Sequence, residues 1–184
     1  MKDRPKIILG IDPGTIVLGY GLISVDNKNI NLVGMGVVSL QKFGDMHKRL
    51  SRIFSHLDGI VNEFKPDEVA IEAQFFGKDV QAMLKLGRAQ GVAITPAVLR
   101  DIPVFEYAPR KIKVSITGNG DASKEQVAMM LGKILKLDLS KQPPDATDGL
   151  AAALCHHYES QKPGVDKSYS SWEDFAKKNP GRVK

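Results

Sequence analysis

Two runs of this sequence have the apolar character of strands and end in an acidic residue. Lys6–Asp12 reads KIILGID, and residues 67–72 read DEVAIE. Because the first run is continuously hydrophobic rather than alternating, we expect both faces of its strand to be covered, at the centre of a sheet. Strand patterns at 18–25 and 30–40 follow short connections, which predicts that the first three strands form an antiparallel meander.

The segments 45–64 and 79–98 have the three- and four-residue spacing of apolar positions that predicts amphipathic helices. In the second helix these positions include two glycines one turn apart, although glycine is unfavourable inside an isolated helix. We therefore expect another element to approach this face closely, either in the core or at a dimer interface. The predicted apolar face comprises Val80, Met83, Leu84, Gly87, Gly91, Ile94 and Val98.

The rest of the chain predicts one more strand and three more helices, at 102–107, 109–116, 123–137 and from Pro144 onward. Ser123 and Gln126 have the spacing of a capping box. Strands that are joined through crossover helices lie parallel. The predicted fold is therefore α/β, with a mixed five-stranded sheet (strands 1–3 antiparallel, strands 4 and 5 parallel) and helices on both faces. We expect this domain to span residues 1–160 and a polar tail to occupy 161–184.

A net charge of +5 and an isoelectric point near 9.2 favour a polyanionic partner. From Lys78 to Lys124, eight basic residues stand against four acidic ones, a net charge of +4. No apolar stretch approaches the ~20 residues of a membrane span, so we expect no membrane association. The single cysteine, Cys155, excludes an internal disulfide, and the N-terminus has no secretory signal pattern. The expected compartment is the cytoplasm.

Four carboxylates are candidates for one site. Asp12 and Glu72 each end a strand, and the ends of parallel neighbouring strands meet at one edge of a sheet. Asp145 and Asp148 lie three residues apart and so share one face of the last helix, where simple capping is the alternative explanation. Clustered acids repel one another, and Mg²⁺ or Mn²⁺ would relieve that repulsion and support phosphodiester cleavage. The histidines are expected to be surface or structural residues: His47, His56, His156 and His157.

The motifs around these acids occur together in a characteristic order. They are LGIDPGT at 9–15, AIE at 70–72 with aromatic residues just after it, KLGRAQG at 85–91 and DATDGLA at 145–151. This set resembles the RuvC family of Holliday-junction resolvases over about residues 6–158, and the order is more specific than any single motif.

The resemblance implies a ribonuclease-H-like fold, a homodimer and two Mg²⁺ ions per active site, with Mn²⁺ as a substitute. It implies symmetric nicking of two opposed strands of a four-way DNA junction in recombination and repair, together with the RuvA–RuvB branch-migration complex. A metal-activated water would attack the phosphate and leave 5′-phosphate and 3′-hydroxyl ends. The implied catalytic and metal-binding acids are Asp12, Glu72, Asp145 and Asp148, although some relatives have histidine in place of Asp145.

The resemblance also implies DNA contacts. Phe75 matches an aromatic residue that stacks on bases near the junction centre, while Lys113 and Lys124 match basic residues that face DNA. Lys85 and Arg88 are interpreted as general backbone contacts or surface charges. A buried phenylalanine and solvated lysines stay open as alternatives.

Two other functions fit parts of the sequence. GIDPGT at 10–15 also resembles the phosphate-binding turn of the actin and sugar-kinase group, but those proteins need two such domains and this sequence has one such turn. The main alternative is a non-resolvase nuclease or binding module of the ribonuclease-H fold that acts on RNA or RNA–DNA hybrid. A non-catalytic relative would be expected to lack one of the four acids, and none is missing.

Overall fold

A computed structural model describes residues 4–27, 29–73 and 79–162 of the chain. The strands of this part are β1 (Lys6–Asp12), β2 (Val17–Asp26), β3 (Asn29–Ser39), β4 (Glu68–Glu72) and β5 (Val104–Tyr107). The helices are α1 (Met46–Phe64), α2 (Val80–Val98), α3 (Pro109–Thr117), α4 (Lys124–Leu135) and α5 (Pro144–Ser160). Their order along the chain is the one predicted from the sequence.

The five strands form one mixed sheet in the spatial order β3-β2-β1-β4-β5. β1, β2 and β3 pair antiparallel, whereas β4 pairs parallel with β1 and β5 pairs parallel with β4. This confirms the predicted fold class. β1 is the central strand, and its residues Ile8 and Leu9 are fully buried, which explains its continuous hydrophobicity.

Helices cover both faces of the sheet. α3, α4 and α5 build one core over Ile8 and Ala70, and α1 and α2 build the other over Leu9 and Ile71. Because successive residues of a strand point to opposite faces, Asp12 and both glutamates of β4 lie on the α5 side.

Glycines allow α5 to lie directly on β1 and β2. A Cβ atom on Gly10 would stand 2.1 Å from the carbonyl oxygen of Gly149, and one on Gly19 would stand 1.8 Å from that of Asp145. Non-bonded atoms do not approach so closely, so any larger side chain would push the helix away from the sheet. This contact brings the first turn of α5 to the carboxyl end of β1.

The face predicted for α2 is not its main core-facing side, although Ile94 of that face packs against the core. Its core-facing residues are Ala89, Ala93, Pro96 and Ala97, which pack mainly towards α1. Gly87 and Gly91 are exposed, and apart from the backbone of α2 itself and the adjacent residues, no atom of the described residues lies within 4 Å of a Cβ built on either. Small alanine side chains let two helices approach closely, so the alanine face serves the core and the glycine face does not.

Other differences are small. α4 ends at Leu135 rather than near residue 137, because Lys136 adopts a left-handed backbone conformation with φ of 56°. β5 begins at Val104, after Pro103. Among the helices of the described ranges, none is long and apolar enough to cross a bilayer.

Candidate active site

The parallel pairing of β1 and β4 places two of the predicted acids side by side. Ile11 is opposite Ile71 in the register, and Asp12 and Glu72 follow them at the carboxyl ends of the two strands. Both side chains are half-buried. The prediction that these two strand ends meet is therefore correct.

The first two turns of α5 supply the other two acids. Pro144 opens the helix, and Asp145 and Asp148 follow one turn apart. No side chain forms a cap hydrogen bond at the start of α5 in the described chain, so hydrogen-bonded capping does not account for the two acids, although Asp145 lies in the first turn. The side chain of Asp148 is 15% exposed, and that of Asp145 is 39% exposed.

Asp12, Asp145 and Asp148 form a compact cluster, in which one carboxylate oxygen from each lies within 4.8 Å of the other two. Glu72 lies outside this group of three, although its charge acts on Asp12 and that of Asp148 acts on Glu72. The structure thus brings all four predicted acids to one edge of the sheet, three of them at ligand-sharing distances.

Burial and mutual repulsion keep two of these acids from ionising easily. Burial raises the pKa of Asp12 to about 8, and the charges of Glu72, Asp148 and Asp145 add to the effect. Burial likewise raises the pKa of Glu72 to about 7, with a further contribution from Asp148. In the absence of a cation, the cluster therefore retains protons near neutral pH.

One lysine already contacts the cluster. Lys124, the first residue of α4, donates a hydrogen bond from Nζ to Oδ2 of Asp148, and its Nζ lies 4.0 Å from Oδ1 of Asp145. Burial lowers its pKa, but the bond to Asp148 and the surrounding carboxylates outweigh burial and raise the pKa overall. Lys113 acts at longer range, since its charge lowers the pKa of Glu72.

The donor set fits a divalent cation that prefers oxygen ligands. The acids supply only carboxylate oxygens, and three of them meet within 4.8 Å. Burial, with a contribution from the neighbouring acids, raises the pKa values of Asp12 and Glu72, and a bound cation would oppose this effect. Soft-metal ligands do not take part in this cluster.

Unlike the four acids, the predicted DNA-contact residues do not all lie at one place in the structure. Lys113 and Lys124 act on the acid cluster, as described above. Lys85 and Arg88 are exposed on α2, and no ion pair of the described chain joins either to the cluster. Phe75 lies outside the described residues.

Sequence reasoning missed residues that support the site. Arg49 of α1 donates hydrogen bonds to the carbonyl oxygens of Phe43 and of Thr15, which lies in the turn just after Asp12. Gly10 and Gly19 allow α5 to pack close to the sheet. Glycines inside apolar strands were a signal for close backbone approach, whereas nothing local to Arg49 indicated its distant acceptor.

Comparisons with known proteins agree with this geometry. The family model described as crossover junction endodeoxyribonuclease RuvC matches residues 8–156. A relative of that name from Bacteroides fragilis is 54% identical over 183 residues, which cover 98% of this chain and 97% of the relative.

Two solved structures are also similar. The Thermus thermophilus RuvC structure has a TM-score of 0.75 and 33% identity, over 84% of this chain and 95% of that one. T. thermophilus RuvC in complex with Holliday junction substrate has a TM-score of 0.75 and 30% identity, over 84% and 94%. The resemblance seen in the motifs is confirmed: the chain belongs to the family of the crossover junction endodeoxyribonuclease RuvC.

Proposed function

We propose that this protein is a metal-dependent endonuclease that resolves four-way DNA junctions by nicking two opposed strands. The observation that carries the proposal is the meeting of four acids at one edge of the sheet, three within 4.8 Å, in a chain of this family. The complex of a 30% identical relative with a Holliday junction supports junction DNA as the substrate. An RNA or RNA–DNA substrate is not favoured.

Asp12, Glu72, Asp145 and Asp148 are the proposed ligands and catalytic acids, and two Mg²⁺ ions, replaceable by Mn²⁺, are the proposed cofactors. When bound, such ions lower the pKa of water and stabilise charge on a phosphate. Asp12 and Glu72 are held by two paired central strands, so their spacing is rigid. The contact of α5 with Gly19 fixes Asp145 and Asp148 relative to them.

The basic residues predicted from the sequence and Phe75 are the proposed DNA contacts. Lys113 and Lys124 stand at the acid cluster and would bind the phosphates next to the scissile one. The exposed Lys85 and Arg88 would contact the backbone further away. Phe75 is proposed to stack on unpaired bases, as predicted from the sequence.

The exposed face of α2 supports a homodimer. Val80, Leu84 and Val98 are 64%, 52% and 54% exposed, and the two glycines between them are open to solvent in the described chain. Glycines on a helix surface allow close approach of a second helix. Symmetric nicking needs two sites related by a twofold axis, which a dimer supplies. The RuvA–RuvB complex as a partner, the cytoplasmic location and the tail at 161–184 stay predictions from the sequence.

The test is cleavage of a synthetic mobile four-way junction in Mg²⁺, beside a linear duplex and an RNA–DNA hybrid. We expect paired symmetric nicks on the junction alone, and we expect Asp12→Asn to abolish them while junction binding persists. Asp12→Asn keeps the shape of the side chain and removes its charge. Cutting of the hybrid, or junction binding without cutting by the unaltered protein, would contradict the proposal.

A further inference from the structure

The ammonium group of Lys124 occupies the position of a cation within the acid cluster. It is hydrogen-bonded to Asp148, which is less exposed than the other acid of α5, and it lies 4.0 Å from that other acid, Asp145. Asp12 and Asp145 are among the charges that act on it. The Lys124 side chain thus contacts two of the carboxylates that are proposed to bind a metal.

This placement is built into the fold. Lys124 is the first residue of α4, and the Ser123–Gln126 capping box fixes the helix start through two reciprocal hydrogen bonds. α4 packs against α5, which carries Asp148. The backbone of Lys124 is therefore held at a defined position beside the acids. Although Lys124 and Asp148 are 24 residues apart in sequence, the packing of α4 on α5 brings them into contact.

A lysine that only contacted DNA would be expected to project into solvent in the DNA-free protein, as Lys85 does. Lys124 instead directs its charge towards Asp148, although its side chain is 55% exposed. Among the described residues, no other lysine or arginine forms an ion pair with the four acids.

We propose that Lys124 is the resident counter-ion of the metal-free site and competes with a divalent cation for Asp148. The inference rests on the proposed function only in taking these acids as the metal ligands. A metal that binds Asp148 must release the ammonium, so Lys124 weakens metal binding in the DNA-free protein and stabilises the protein when metal is absent. A DNA phosphate gives the released ammonium a new partner, which would favour metal binding once DNA has bound.

The experiment compares Lys124→Gln with Lys113→Gln in the full chain without DNA. Mn²⁺ affinity is measured from the electron paramagnetic resonance signal of the free ion, and thermal unfolding is measured in EDTA. Both variants lose one positive charge near the acids, but only Lys124 forms an ion pair with them in the described structure. Lys113→Gln therefore measures the general effect of the lost charge.

We expect Lys124→Gln to bind Mn²⁺ about two- to fivefold more tightly than the unaltered protein, the range for loss of a partly exposed charge pair. Lys113→Gln should gain less. In EDTA, Lys124→Gln should unfold at a lower temperature than Lys113→Gln. Unchanged or weaker Mn²⁺ binding in Lys124→Gln would overturn the competition.

Asp148→Asn separates this inference from the proposed function. If Mn²⁺ binding survives Asp148→Asn without loss, the assignment of the acid cluster as the metal site is wrong. If Asp148→Asn weakens binding and Lys124→Gln gives no gain, the metal site stands and only the competition is wrong.

Discussion

The two ends of β4 carry the same residue type in opposite electrostatic settings. Glu68 begins the strand and Glu72 ends it, both half-buried and both on the face covered by α5. Burial would raise the pKa of Glu68, but hydrogen bonds from Lys6 and His156 outweigh burial and lower it. Burial raises the pKa of Glu72 to about 7, and the charge of Asp148 adds to the rise.

The Glu68 end is a closed network. Lys6 lies 2.6 Å from Glu68, and Nε2 of His156 lies 2.5 Å from it. Nδ1 of His156 is 2.6 Å from the hydroxyl of Tyr107. Because burial raises the pKa of Tyr107 to about 12, the phenol stays protonated and donates a hydrogen bond to Nδ1, and Nε2–H then donates a hydrogen bond to Glu68. This explains a buried histidine without any catalytic role.

The comparison separates a carboxylate that the chain itself neutralises from one that we propose to be a metal ligand. At the Glu68 end, the chain supplies the cations and donors that a buried acid needs. At the Glu72 end it supplies four acids, with a single lysine in ion-pair contact within the described residues. Ionising these acids at a rigid sheet edge destabilises the folded protein, and a metal ion bound from solution can offset that destabilisation.

The largest expected effect is on catalysis at the Glu72 end. Glu72→Gln removes a proposed metal ligand and should lower the single-turnover rate of junction cleavage by about 10³-fold or more. Glu68→Gln is the matched control at the other end of the strand and should leave the cleavage rate of the folded protein within about threefold. Equal losses of cleavage activity in both variants would contradict the assignment of different roles to Glu68 and Glu72.

The next largest effect concerns α5, the helix that covers both ends of β4. Gly10→Ala would place a Cβ 2.1 Å from the carbonyl oxygen of Gly149, so α5 must move. We expect a loss of about 3 kcal/mol in the free energy of unfolding, measured by urea denaturation. Gly34→Ala on β3 is the control, because a Cβ there meets no described atom within 4 Å and should be nearly neutral. An equally stable Gly10→Ala would show that α5 does not depend on this contact.

A smaller stability effect is expected at the Glu68 end. Glu68→Gln leaves Lys6 and His156 without their carboxylate, which should cost about 2 kcal/mol in the free energy of unfolding. Urea denaturation measures this loss, and Glu63→Gln on the exposed face of α1 serves as a surface control. A loss no larger than that of the control would mean that the network contributes nothing to stability.

The last prediction is a pH dependence of the stability of the metal-free protein. Between pH about 4 and about 8, folded Asp12 keeps a proton that the unfolded chain has released, so stability should fall as pH rises through this window. Glu72 adds to the fall up to about pH 7. At pH 8 in EDTA, Asp12→Asn should therefore unfold at a higher temperature than the unaltered protein.

Thermal melts with and without Mg²⁺ check this pH dependence. Mg²⁺ should stabilise the unaltered protein at pH 8 and have less effect on Asp12→Asn. A metal-free protein that becomes more stable as the pH rises from 5 to 8 would contradict the assigned direction of the Asp12 shift.

The sequence by itself determined the order of strands and helices, the mixed sheet, the identity of the four acids and the family. These features depend on local patterns, since apolar runs, helical periodicity, turn residues and short motifs are readable within a few neighbouring positions. Asp12 and Glu72 were predictable because the ends of parallel neighbouring strands always meet at one edge of a sheet.

Only the tertiary structure decided which partners those elements meet. The pairing of Lys124 with Asp148, the Glu68–His156 network and the contact of Gly19 with Asp145 each join residues far apart in the chain. The core-facing side of α2 was not predicted, for a related reason. Apolar periodicity reports which face avoids water, but only packing decides whether the core or a second molecule covers that face.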